Sequence, residues 1–297
     1  MIRLIAVTRR SRVSATTLAS LYTRWMQHRL GTRIDEPCER LMLVLPNVSH
    51  PALRLVSTGT LAAHRLTGHV PAIYRYPYEG EPPLEHQSAA RTTFFDLALM
   101  RHLEDIEQLV VLGAGWDTRS YRMPGAVRCF EVDIPRTQEE KRRMLVRAGL
   151  DPTRMTFVPA DLVTDDWLGR LMHAGFDPRR STFFLWEAVT MYLDRDAVER
   201  TLRTIAGTAP RTVVAFDYLS ADLVEGRSLF MTYVRAVLRV IDEPWRFGMP
   251  GGTPSREHVA AVLDACGLRL EEQRNLGTET GDRPARGGLV TAIVPPH

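Results

Sequence analysis

The residues best suited to chemistry lie in Leu109-Val110-Val111-Leu112-Gly113-Ala114-Gly115-Trp116-Asp117-Thr118-Arg119 and in the carboxylates that follow it. Four apolar residues run straight into a Gly-x-Gly turn. Such a run suits a parallel strand buried on both faces, ending where the backbone can come close to a ligand. A second strand, Arg128-Cys129-Phe130-Glu131-Val132, ends on Asp133, twenty residues after Gly113. At that offset an acidic side chain can hold the two hydroxyls of a ribose. The pattern therefore reads as a nucleoside site, with an ordinary turn as the plain alternative.

What is missing narrows the nucleoside. A dinucleotide site places a third glycine three residues after the second, so that helix and strand pack closely over a pyrophosphate. Here that place holds Thr118, and Asp117 puts a negative charge where a pyrophosphate would collect free N–H groups. A cofactor without phosphate fits better. S-adenosylmethionine, with an adenosine, a sulfonium and an amino acid end, is such a cofactor.

The elements that must position these residues follow the rhythm of a parallel sheet. After Asp133, Pro135 starts a helix at its first position. Further strands are predicted at Thr156–Ala160, ending at Asp161-Leu162, at Thr182–Trp186, ending at Glu187, and at Thr212–Phe216, ending at Asp217. Acids thus close successive strands on the edge where an open α/β sheet binds its ligand. A helix opens on Asp194, and Thr253-Pro254 caps another whose Val259, Leu263 and Cys266 face inward. Leu268–Gln273 and Gly288–Val294, with no helix between them, predict a closing antiparallel hairpin. The fold class expected is α/β: a seven-stranded, mostly parallel, Rossmann-like sheet with a terminal antiparallel hairpin, an N-terminal helical extension and a helical lid insertion.

Residues 1–86 are expected as an N-terminal helical cap and 87–297 as the core, with the lid at about 218–254. The lid reading rests on the stripe Phe230, Tyr233, Val234, Val237, Leu238 and Ile241 and on Gly251-Gly252 as a hinge; one more core helix is the alternative. In the cap, Leu18, Leu21, Tyr22, Trp25 and Leu30 fall on one stripe of a helix over Thr16–Leu30, and another helix is expected over Pro51–Leu66. The loop with Tyr74, Tyr76 and Tyr78 among prolines either lines a substrate entrance or packs on the core. A helix over Ser88–Leu103 carries Arg91 near its start, where a cation opposes the helix dipole. A surface position would explain that arginine, and so would a bound carboxylate.

Composition sets outer bounds. The chain has 297 residues, 44% hydrophobic and 25% charged, with a net charge of +3. That balance is too small to argue for nucleic acid. Lys141 is the only lysine. Cys38, Cys129 and Cys266 have no ligand spacing, no histidine falls in a metal pattern, and no metal is expected. The cysteine usage suits a cytoplasm. No stretch is long enough to span a bilayer, and the basic N-terminus leaves peripheral membrane contact as an alternative.

Together, Leu112–Arg119, Phe130-Glu131-Val132-Asp133 with Pro135 and Lys141, Asp161-Leu162, and Glu187-Ala188-Val189-Thr190-Met191-Tyr192-Leu193 resemble the leucine carboxyl methyltransferase family. The resemblance runs from about Arg91 to Leu193 and loosens after that. It implies an S-adenosylmethionine-dependent O-methyltransferase. Arg91 would hold the cofactor's carboxylate, and Gly113, Ala114 and Gly115 would pass under its methionine part. Asp133 would take the ribose, Asp161 and Leu162 the adenine, and Glu187 the amino group. Ala188 stands where the family usually has glycine and Trp116 where leucine is common; both positions could narrow the crevice. A second basic contact from the N-terminal segment is not placed.

Transfer from a sulfonium needs alignment above all, and an ionised carboxylate acceptor needs no general base. Carboxyl methylation of a small molecule or peptide C-terminus is therefore favoured, with Arg119 or Tyr192 orienting the acceptor. A satisfied core tyrosine is the alternative for Tyr192. Two rivals are a nicotinamide-dependent oxidoreductase and a non-catalytic S-adenosylmethionine-binding protein.

Overall fold

The computed structural model describes residues 15–46, 48–226 and 244–296. Its frame is a seven-stranded sheet in the order β3-β2-β1-β4-β5-β7-β6. The strands are β1 (Gln108–Leu112), β2 (Arg128–Asp133), β3 (Thr156–Pro159), β4 (Thr182–Trp186), β5 (Val213–Leu219), β6 (Arg269–Leu276) and β7 (Gly287–Ile293). The first five in spatial order are parallel, and β7 pairs antiparallel with both β5 and β6. The expected closing hairpin is therefore present, with β7 inserted between its partner and β5.

Alternation along the central strands sends side chains to two separate cores. Leu109, Val111, Phe183, Leu185, Val213 and Ala215 face one, and Val110, Leu112, Phe184, Trp186, Val214 and Phe216 the other. Helices cover both faces. On the first lie α1 (Ala15–Arg29), α2 (Glu36–Met42), α4 (Gln87–His102) and α5 (Pro135–Arg147). On the second lie α6 (Trp167–His173), α7 (Arg195–Ala206) and α9 (Ser255–Ala265), the short α8 (Ala221–Glu225) preceding α9. Leu18, Leu21, Trp25 and Met26 bury one stripe of α1 in the same core as β1.

Local chemistry explains several element boundaries. Asp35 caps α2 by accepting the Cys38 N–H, and Asp194 caps α7 by accepting the Ala197 N–H. The helix α3 (His50–Thr67) opens on Ser49 with Pro51 in its first turn and ends at Gly68 in the left-handed conformation. The prolines and tyrosines after it pack a loop onto the core: Tyr78 is buried, and its hydroxyl meets His86 Nδ1 at 2.8 Å.

Two expectations need correction. The strand β5 runs on to Leu219, so Asp217 lies inside it rather than after it. The helix α4 starts at Gln87 behind a 3-10 turn at Leu84–His86, which moves Arg91 out of the first turn. Of the expected lid, 227–243 lie outside the described residues, as does the basic N-terminus.

Candidate active site

The chain turns outward from β1 through β2 to β3, then returns to place β4 on the other side of β1. The crevice of an open α/β sheet lies at such a reversal, outside the carboxyl ends of the strands. Gly113 follows β1 and Glu187 follows β4, and their loops meet there. A Cβ built on Gly113 (φ 64°) would lie 2.4 Å from Cγ2 of Val189, and one on Gly115 (φ 43°) 2.4 Å from Cγ2 of Thr17 on α1. Only glycine meets both the backbone angle and the close approach. Along this edge buried residues give way to half-buried ones: Gly113, Asp133, Asp161, Leu162, Glu187, Ala188 and Val189.

Asp133, the last residue of β2, accepts the Gly115 N–H on Oδ2 and the Ile134 N–H on Oδ1, both at 2.7 Å. Burial pushes its pKa up, and the two N–H groups, with Lys141 and the Thr137 hydroxyl, pull against that rise. A carboxylate has about four acceptor positions, so these partners leave capacity for a ligand. Asp161 accepts the Val163 N–H at 2.8 Å while its own N–H donates to Asp165. Beside it, Leu162 is half-buried against the second core.

Glu187 is gripped from two sides. Its Oε1 accepts Arg91 Nε at 3.2 Å, and its Oε2 accepts Arg119 Nη1 at 2.6 Å. Burial would raise its pKa, but the two guanidinium groups hold it below the usual carboxylate range. Arg91 also donates from Nη1 to Asp217 Oδ2 at 3.1 Å and from Nη2 to Ser20 Oγ at 2.9 Å. The other oxygen of Asp217 accepts the Ala188 N–H at 2.6 Å, which holds Ala188 at φ 60°. Arg119 donates from Nε to Asp96 Oδ1 at 2.6 Å, pairs with Asp117 through Nη1, and leaves Nη2 without an acceptor.

The predicted residues Gly113, Ala114, Gly115, Asp133, Asp161, Leu162 and Glu187 thus share one edge, and Arg91 and Arg119 meet there as partners of Glu187. Arg119, expected to orient an acceptor, is 0% exposed. Its Nε and Nη1 are engaged by acids of the protein. Trp116 is buried in the first core. Tyr192 is half-buried against Met191, Leu219 and Val224.

Sequence reading missed several residues that converge here. Arg24 of α1 donates to Asp117 Oδ2 at 2.8 Å and to the Trp116 carbonyl at 3.2 Å, beside the glycine turn, and its buried Nε has no acceptor. Nothing in its local sequence marks it. Asp96 was detectable as an acid amid Phe94, Phe95, Ala98 and Leu99. Ile134, 43% exposed next to Asp133, places apolar surface at the edge. Among the described residues no cluster of three or more His, Cys, Asp or Glu could hold a metal ion, and no helix is long and apolar enough to cross a membrane.

Comparison with known proteins adds to this geometry. Residues 54–206 match the model of the leucine carboxyl methyltransferase family. A relative from Mycolicibacterium smegmatis, assigned as an S-adenosyl-L-methionine-dependent methyltransferase, is 36% identical over 150 residues, covering 48% of this chain and 50% of that protein. The chain thus spans about half the length of that relative. Another with the same assignment, from Frankia alni, is 36% identical over 224 residues, covering 71% of this chain and 74% of that protein. Solved structures are more distant. The magnesium protoporphyrin IX methyltransferase of Synechocystis gives a TM-score of 0.44 at 12% identity over 81% of this chain and 95% of that one. The family model and the relatives together place this chain in the leucine carboxyl methyltransferase family.

Proposed function

We propose that the protein is an S-adenosylmethionine-dependent methyltransferase that transfers its methyl group to an oxygen, with a carboxylate as the favoured acceptor. The observation that carries the reading is the return of partial exposure along the carboxyl ends of β1, β2, β3 and β4, at a glycine turn and three acids. When bound, the cofactor supplies a methyl group already activated on a sulfonium. Asp133 holds the ribose with its remaining acceptor capacity, Asp161 and Leu162 bound the adenine, and Ile134 offers it apolar surface. Glu187 receives the amino end. The carboxylate end falls to Arg91, with Arg24 as the second basic contact, because both retain N–H groups beyond those already engaged.

The acids at this edge are already engaged in binding or in ion pairs, and none is left as a general base. An ionised carboxylate needs none. Tyr192 is the group offered for orienting the acceptor, and the small molecule or peptide C-terminus that brings it is the partner. The cysteines are free and buried, which supports the cytoplasmic reading. Peripheral membrane contact through the basic N-terminus stays a secondary proposal.

Two measurements test the reading. In a thermal-shift comparison, S-adenosylmethionine and S-adenosylhomocysteine should stabilise the fold by about 2.7 kcal/mol at a hundredfold excess over Kd, while NAD leaves it unmoved. Stabilisation by NAD alone would return the oxidoreductase. With methyl-labelled cofactor and a panel of acids and alcohols, the label should become base-labile, as a methyl ester is. Base-stable label on hydroxyl compounds would overturn carboxyl specificity. Tight cofactor binding without transfer to any acceptor would point to a binding protein.

A further inference from the structure

Asp96 is a buried acid on α4, 2% exposed, and the functions proposed above do not use it. Its Oδ1 accepts Arg119 Nε at 2.6 Å. Its Oδ2 accepts Arg33 Nε at 2.8 Å, Arg122 Nη2 at 2.8 Å and the Tyr76 hydroxyl at 3.2 Å. Three guanidinium groups therefore converge on one carboxylate. The important one is Arg119, whose opposite end reaches Glu187 Oε2 at 2.6 Å. A guanidinium is a rigid planar fork, so fixing Nε also fixes the direction of Nη1. The second grip on Glu187 comes from Arg91, five residues before Asp96 on the same helix. Both arginines that hold the crevice carboxylate are thus referenced to α4, one by belonging to it and the other through Asp96.

We infer that Asp96 is a positioning residue which, acting through Arg119, sets how the Glu187 carboxylate faces the crevice. Its consequence is selective recognition of the amino acid end of the ligand, with no effect on the adenosine end. That selectivity separates it from a general structural ion pair. The inference rests on Glu187 receiving an amino group, as proposed above.

The test is a calorimetric titration with two probes that share an adenosine and a thioether, S-adenosylhomocysteine and 5′-methylthioadenosine, of which only the first has the amino acid end. The wild-type protein should bind the first about tenfold more tightly or better, as charge-assisted hydrogen bonds require. In Asp96→Asn this preference should shrink by about fivefold or more, because a loosened supporting group misplaces the contact it supports. The affinity for 5′-methylthioadenosine should stay within about twofold. Equal weakening of both probes, or an unchanged preference, overturns the inference. Arg119→Lys keeps the cation but cannot hold Asp96 and Glu187 at once, so it should lose the same preference. It decides the matter if Asp96→Asn does not fold, and an unchanged preference there overturns the inference as well. A wild-type protein that does not discriminate between the probes sinks the underlying assignment of Glu187, independently of either variant.

Discussion

At the scale of single residues, the crevice combines permissive and strained positions. Gly113 and Gly115 accommodate their left-handed backbone without cost, whereas Ala188 adopts φ 60° with a Cβ in place. For an L-residue that conformation costs roughly 1–2 kcal/mol, held here by the bond from its N–H to Asp217. Ala188→Gly should therefore raise stability by about 0.5–1 kcal/mol, relief of strain exceeding the added freedom of the unfolded chain. Urea unfolding measures it, and a less stable variant contradicts the strain argument. Asp133 makes the opposite kind of contribution, since its remaining acceptor capacity is assigned to a ligand. Asp133→Ala should weaken S-adenosylhomocysteine binding by about 1.5–3 kcal/mol, or roughly ten- to a hundredfold. Unchanged affinity in a titration would remove Asp133 from the site.

At the scale of elements, the only lysine ties three of them together. Lys141 of α5 donates to Glu131 Oε2 of β2 at 2.6 Å and to the Asp117 carbonyl after the glycine turn at 2.8 Å. Both side chains are 1% exposed. Removing one partner leaves the other as a buried, unpaired charge, which costs about 3–5 kcal/mol, while replacing both with apolar groups is often close to neutral. Lys141→Met should thus be strongly destabilised, and adding Glu131→Leu should restore most of the loss. A double variant as weak as the single would mean that the bond to the Asp117 carbonyl dominates. This pair also shows what the sequence could and could not convey. Several strand ends were legible because burial on both faces leaves apolar runs stopped by glycine or acid, and β4 matches its expected span, Thr182–Trp186, whereas β5 runs two residues past Asp217. The partners of the charges were not. Arg24 meets Asp117, and Arg91 meets Asp217, across gaps of 93 and 126 residues. No local pattern encodes such pairings, nor that Nε and Nη1 of Arg119 are engaged by buried acids.

At the scale of the whole molecule, the buried charges join the N-terminal helices to the sheet. Arg24, Arg33, Arg91 and Arg119, with the half-buried Arg122, face Asp35, Asp96, Asp117, Glu187 and Asp217. Their numbers match, so burial of this set leaves no net charge. Folding stability should then depend on pH in a defined way. Burial alone would raise the pKa of Asp35, Asp96, Asp117 and Glu187, but the arginines hold all four below the usual range. A depressed carboxylate contributes stability that is present above its unfolded value, near pH 4, and is lost as pH falls further. Burial instead raises the pKa of Glu131, Asp133 and Asp217, against their cationic or N–H partners. The folded state therefore takes up those protons first, and stability gains slightly as pH drops toward 4. Beyond that point the depressed group dominates, so the stability curve should peak on the mildly acidic side and fall steeply below pH 4. Asp96 makes the point specific. The stability difference between wild type and Asp96→Asn should be about 1 kcal/mol smaller at pH 3 than at pH 7, because one unit below the unfolded pKa that much of the carboxylate's contribution is gone. Urea midpoints across this range would read it directly. A difference that stays constant from pH 7 to pH 3 would mean that the Asp96 carboxylate is not held ionised by its three arginines.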